Sequence, residues 1–144
     1  MDTALLDTDI LTELLKQKAA NVVKHAANYL KQHGQFAISS MTRYELLRGL
    51  KEKAAAAQLA RFDIFCRNTL VLPITNTILD GAADLWVAAR KIGQAGLDAD
   101  LIIASTALEH SLMLVTGNTK DYAWITNLRL YNWRQTIDSR NQLA

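Results

Sequence analysis

The sequence predicts an α/β protein in which helices flank a small, mainly parallel sheet. Three observations predict it. Apolar runs of about three or four residues alternate with longer segments whose apolar residues recur at helical spacing, the pattern of βαβ units. Several of these runs end on an acid or hydroxyl residue that can open the next helix. No internal repeat, low-complexity tract or linker breaks the 144 residues, so residues 1–144 are expected to fold as a single domain.

Thr3 to Leu6 is a short run stopped by Asp7, and Ile10, Leu11, Leu14 and Leu15 then recur at helical spacing. A buried first strand is expected, with a helix beginning near Asp9. Ala19 to His33 reads as an amphipathic helix with Val22, Val23, Ala26, Tyr29 and Leu30 inward, closed by Gly34. Phe36 to Ser39 is the second strand. Ser40 or Thr42 can cap the helix that follows, which carries Tyr44, Leu46, Leu47 and Leu50. The alanines from Ala54 to Ala57 lead into a helix anchored by Leu59, Phe62, Ile64 and Phe65. Leu70 to Leu72 is a third strand, stopped by Pro73, and Asn76 to Ile92 a long helix. A loop from Gly93 to Gly96 delivers an apolar helix that starts at Asp98 and Asp100 and turns at His110-Ser111. A strand from Leu112 to Val115 follows, then a polar turn ending in Asp121, then an edge strand from Leu128 to Tyr131. The tail from about Asn132 is polar and expected to be loose.

Composition narrows the function classes. Half the residues are hydrophobic and 21% are charged, which is globular usage and argues against disorder. A net charge of +2 does not announce nucleic-acid binding. Yet Arg43, Arg48, Lys51, Lys53, Arg61 and Arg67 lie together mid-chain, as a basic patch or as solvated helix faces. The lone Cys66 excludes an internal disulfide and a cysteine zinc site. No apolar run approaches the ~18 residues of a membrane span, and early acids rather than a basic leader open the chain. A soluble cytoplasmic protein is expected.

The acids carry the chemistry. In a parallel sheet the strands end on one rim, and the crevice there is the usual ligand site. Asp7 follows a buried strand directly. Asp9, Asp98 and Asn118 are expected as helix caps, and Thr42 to Glu45 fits a capping box. Because residues two apart do not share a helix face, capping by Asp98 leaves Asp100 free. Three or four carboxylates from Asp7, Glu45, Asp100 and the Asn118/Asp121 turn could hold one or two hard cations such as Mg²⁺ or Mn²⁺. Phosphodiester hydrolysis is the chemistry such ions suit. His25, His33 and His110 form no metal pair, and there is no Gly-rich phosphate loop.

Four motifs in order carry a resemblance: Leu5-Leu6-Asp7-Thr8-Asp9; Ile38-Ser39-Ser40 with Glu45-Leu46-Leu47-Arg48-Gly49; Asp100-Leu101-Ile102-Ile103-Ala104; and Val115-Thr116-Gly117-Asn118 with Asp121-Tyr122. The chain resembles a PIN domain of the VapC toxin type, the ribonuclease half of type II toxin-antitoxin pairs. The resemblance implies a PIN-like fold and a site in which Asp7, Glu45 and Asp100 bind Mg²⁺ or Mn²⁺. It implies RNA cleavage by a metal-activated water, with Asn118 and Asp121 in support, on structured targets such as tRNA or rRNA. It also implies a homodimer and a VapB-like antitoxin whose tail covers the groove. Two departures stand out: Asp9 occupies a position where many members carry Asn, and Asn118 falls near the family's fourth acid.

Two other readings remain open. Asp7-Thr8-Asp9 can be taken as the paired aspartates of a haloacid-dehalogenase-like phosphatase, with Asp7 as nucleophile, although no small-residue loop follows. A catalytically weak RNA- or protein-binding module would keep the scaffold and use the acids as caps.

Overall fold

The structure, a computed structural model, describes residues 2–137. Its first strand β1 (Ala4–Leu6) pairs in parallel with β4 (Met113–Val115), and β4 with β5 (Leu130–Tyr131). The strands β2 (Ala37–Ser39) and β3 (Leu70–Leu72) form a second parallel pair, and β2 lies beside β1. Every ladder among the described residues is parallel, as the alternation of strands and helices predicts.

The helices are α1 (Thr8–Lys16), α2 (Ala20–His33), α3 (Ser40–Glu52), α4 (Ala56–Arg67), α5 (Asn76–Lys91), α6 (Asp98–Glu109) and the single turn α7 (Thr119–Tyr122). They cover both sheet faces. Because side chains alternate along a strand, Ala4, Leu6, Met113 and Val115 enter one core with α1, α2 and Phe62 of α4. Leu5 and Leu114 enter the other, with Ile103, Ala104 and Ala107 of α6 and with Tyr122. Strands buried on both faces must be apolar throughout, which is why β1 and β4 read as unbroken runs.

Several local expectations change. On α2 the inward residues are Val22, His25, Ala26 and Tyr29, while Leu30 is 40% exposed. At 100° per residue the 22, 25, 26, 29 set makes the tighter stripe, and His25 displaces Val23 from it. Gly34 closes the helix as expected, at φ +82° with its N–H on Leu30 O. Ser39, rather than Ser40 or Thr42, caps α3 by accepting from Met41 N. The alanine run is split: Ala54, at φ +51°, lies in the turn before α4, and Ile64 is 56% exposed. The largest change is at the end of the chain, where Trp133 is fully buried in the first core. The tail expected to be loose from Asn132 is instead held at Trp133, and its residues 138–144 lie outside the described ones.

Candidate functional site

All the parallel strands end on one rim, and that rim receives the acids. Asp7 leaves β1 only 5% exposed. Its Oδ1 accepts from Thr8 N at 2.8 Å, and its Oδ2 accepts from Thr116 Oγ1 at 2.8 Å and Tyr122 OH at 3.1 Å. Burial, then the charge of Asp9, pushes its pKa up to about 6 against the pull of these hydrogen bonds. Thr116 is held in turn, since its Oγ1 accepts from Asn118 N at 3.0 Å.

Asp100, in the first turn of α6, is half-buried, and burial raises its pKa first. A hydrogen bond from Tyr122 opposes this, and the charges of Glu45, Asp121 and Asp9 add to it. The Tyr122 hydroxyl thus serves both Asp7 and Asp100, and burial with those two charges lifts its own pKa far above the usual phenol range. It stays protonated, and its one proton is donated to Asp7 Oδ2. Glu45 comes from the middle of α3. Its Oε1 accepts from Thr8 Oγ1 at 2.7 Å, and Thr8 Oγ1 lies 3.1 Å from the buried Thr42 Oγ1. The capping box of Thr42 and Glu45 does not form, because both side chains are turned to Thr8.

The remaining polar residues divide. Asp9 is no cap: Asp7 holds the N-cap position of α1, and Asp9 accepts from Ile10 N and, at 2.9 Å, from Gly117 N. Asp98 is no cap either, since Leu97 occupies that position on α6 without a side-chain bond. Asn118 holds the N-cap position of α7, likewise without a side-chain bond, and is exposed with Asp121 at the outer rim. The rim therefore brings together Asp7, Asp9, Glu45, Asp100 and Asp121, with Asn118 at its margin. Reasoning from the acids alone misses Thr8, Thr116 and Tyr122, which organise them. The sequence carries only a weak signal for them: Thr8 follows Asp7 and Tyr122 follows Asp121, while Thr116 follows the apolar Val115 that ends β4. Two further features bear on the open readings. Both Asp7 oxygens are occupied and α1 starts at once with Thr8, which leaves no loop to receive a phosphate at an Asp7 nucleophile. No helix among the described residues is long and apolar enough to cross a membrane.

The donor set suits a hard divalent cation. Its oxygens repel one another, two of them on carboxyls whose charge burial disfavours, so a positive ion would relieve both costs. Among the described residues no three Asp, Glu, His or Cys converge well enough to hold an ion alone. One or two carboxylates plus water is the coordination Mg²⁺ usually takes, and this rim fits that number.

These features define a class first: an α/β protein with an acidic pocket on the carboxyl edge of a parallel sheet. Residues 4–123 match the PIN domain family, and the chain belongs to it. It is similar to Ribonuclease VapC2 of Rickettsia felis, 29% identical over 136 residues, covering 90% of this chain and 96% of that one. It is also similar to the tRNA(fMet)-specific endonuclease VapC of Shigella flexneri, 27% identical over 130 residues, with the same coverage of 90% and 96%. Among solved structures, VapBC2 from Rickettsia felis bound to a DNA fragment from their promoter superposes with a TM-score of 0.81 at 26% identity, covering 91% of this chain and 98% of that one. The α/β class and the family expected from the four motifs are both found.

Proposed function

We propose that this chain is a divalent-metal-dependent endoribonuclease, the toxin of a VapC-type toxin-antitoxin pair, folded over residues 1–144 as one cytoplasmic domain. The observation that carries the reading is the gathering of acids at the carboxyl rim: Asp7 is held there by Thr116 and Tyr122, and Asp100 lies near enough to Glu45, Asp121 and Asp9 to feel their charges. Asp7 and Asp100 would hold Mg²⁺ or Mn²⁺, with Glu45 as a further ligand or as the group that orients the attacking water. A bound ion supplies a more acidic water and charge stabilisation at the phosphate. Tyr122 and Thr116 keep Asp7 aimed, Thr8 keeps Glu45 aimed, and Asn118 and Asp121 support the outer rim. Structured RNA such as tRNA or rRNA is the substrate class, cut where a single-stranded loop can be splayed into the pocket.

A VapB-like antitoxin is the partner. Structural relatives are VapBC complexes, and a groove of about 380 Å³ bordered by Thr8, Glu45, Leu46, Leu50 and Phe62 runs from the acidic rim between α1, α3 and α4. Self-association into a homodimer is supported by the exposed Leu79, Trp86 and Val87 of α5. One observation favours the second reading, a binding module without turnover: among the described residues no three ligand groups converge.

Cleavage of a structured RNA pool by the purified protein separates the two, run in Mn²⁺, in Mg²⁺ and in EDTA beside Asp100→Asn. Discrete fragments that need metal and vanish in the variant are expected. Folded protein, stripped of any partner, that cuts no RNA in either metal would transfer the case to the binding module.

A further inference from the structure

The end of the described chain reaches back to the acidic rim. Trp133 is fully buried and stacks on His25 of α2 at 6.0 Å between ring centroids. Asn21 Nδ2 donates to Arg134 O at 2.9 Å, and His25 Nε2 lies 2.9 Å from Gln135 O. The backbone of residues 133–135 is thereby fastened to one helix. The Arg134 side chain goes to α1 instead: Nε donates to Glu13 Oε1 at 2.7 Å, Nη2 reaches the same oxygen at 2.6 Å, and Nη2 also lies 3.4 Å from Asp9 Oδ2. Its guanidinium covers Gly117 so closely that a Cβ there would sit 2.2 Å from Nη1.

Asp9 is committed on both oxygens, Oδ1 to Ile10 N and Oδ2 to Gly117 N beside the arginine. A carboxylate so engaged acts as a fixed acceptor, with a cation beside it. Gly117 in turn opens the turn into α7, which carries Asp121 and Tyr122. We propose that Arg134 is a positioning residue of the acidic site. By pairing with Asp9 over Gly117 it fixes the turn that presents Asn118, Asp121 and Tyr122 beside Asp7 and Asp100. The proposal extends the nuclease reading, and one arm of its test does not depend on that reading.

The test compares the natural chain with Arg134→Gln, Asp9→Asn and the double variant. Hydrogen exchange of the Gly117 amide and RNA cleavage across a Mn²⁺ series are measured on each, with β4 amides as the check that the fold stands. Arg134→Gln should expose the Gly117 amide about tenfold and cut turnover about tenfold, the coupling expected of a charge-assisted contact, without raising the Mn²⁺ concentration needed. The double variant should return to within about twofold of Asp9→Asn alone, because a neutral amide oxygen accepts the Gly117 N–H without a cation beside it. A double variant clearly worse than Asp9→Asn alone would overturn the proposal, and so would an unchanged Gly117 amide in Arg134→Gln. If the natural chain cuts no RNA, the nuclease reading fails and the Gly117 exchange decides this one.

Discussion

Asp7 is the residue whose placement works most against the fold. Its carboxyl titrates near 3.8 in an unfolded chain and near 6 here, so between those values the folded state binds the extra proton. The folded protein therefore loses stability as pH rises through that window, and the loss is complete above about pH 6. Asp7→Asn should raise stability at pH 7 by about 2 kcal/mol, the relief of buried charge outweighing an imperfect replacement of its hydrogen bonds. The gain should fade as pH drops toward 4, read as the difference in Tm between the two proteins in EDTA. A gain that persists unchanged at pH 4 would mean that some other group is its source. Mn²⁺ at pH 7 should raise the Tm of the natural chain but not of Asp7→Asn, and less so below pH 6, where protons compete for the ligand. Asp7 is legible in the sequence because an acid placed directly after a buried apolar run is chemically conspicuous. Tyr122 and Thr116 are not, since hydroxyl residues serve caps, cores and sites alike. Arg134 meets Glu13 across 121 residues, a separation no local pattern can report.

At the scale of elements, α6 is the helix on which the site depends, since its first turn carries Asp100 while its body is buried from Leu101 to Ala107 except for Ile102. It packs on α5 at close quarters. A Cβ on Gly81 of α5 would lie 2.5 Å from Ser105 Oγ, and that hydroxyl is already committed to Ile78 O at 2.7 Å. Gly81→Ala should therefore destabilise by about 1–2 kcal/mol, overpacking outweighing the better helix propensity of alanine. In a Ser105→Ala background the same change should become neutral or stabilising, since only Ser105 Cβ at 3.6 Å then faces the new methyl. Equal effects in both backgrounds, measured by urea unfolding, would place the strain elsewhere. The existence and type of the helices and strands were readable because their apolar periods are strong. Their ends were not: Ser39, Ser40 and Thr42 offer the same capping hydroxyl, and Ser39 takes the task because β2 ends on it in extended backbone and α3 begins at Ser40. Asp9 and Asp98 mislead for the same reason, because an acid in a first turn looks like a cap from sequence alone.

For the whole molecule the decisive residue is Trp133. It sits in a polar stretch without period, so nothing in its neighbourhood marks it as core, yet it joins α2 to the sheet through His25, Tyr29 and Phe36. Its burial closes the first core after β5, the last and shortest strand among the described residues, and sets Arg134 over the rim. Its indole N–H finds no hydrogen-bond partner among the described residues, and packing against His25, Tyr29 and Phe36 holds the ring. Two substitutions should then differ sharply. Trp133→Ala should cost about 3–5 kcal/mol through the cavity it leaves. Trp133→Phe keeps most of the contact and removes the unpaired N–H, so it should cost about 1 kcal/mol or less. The activity consequences should diverge from those stabilities. Trp133→Ala, studied at a temperature where it remains folded, should lose Gly117 protection and turnover as Arg134→Gln does, because the strap that delivers the arginine is gone. Trp133→Phe should keep both. If Trp133→Ala were destabilised yet left Gly117 and cleavage unchanged, the core at the end of the chain and the acidic rim would be independent.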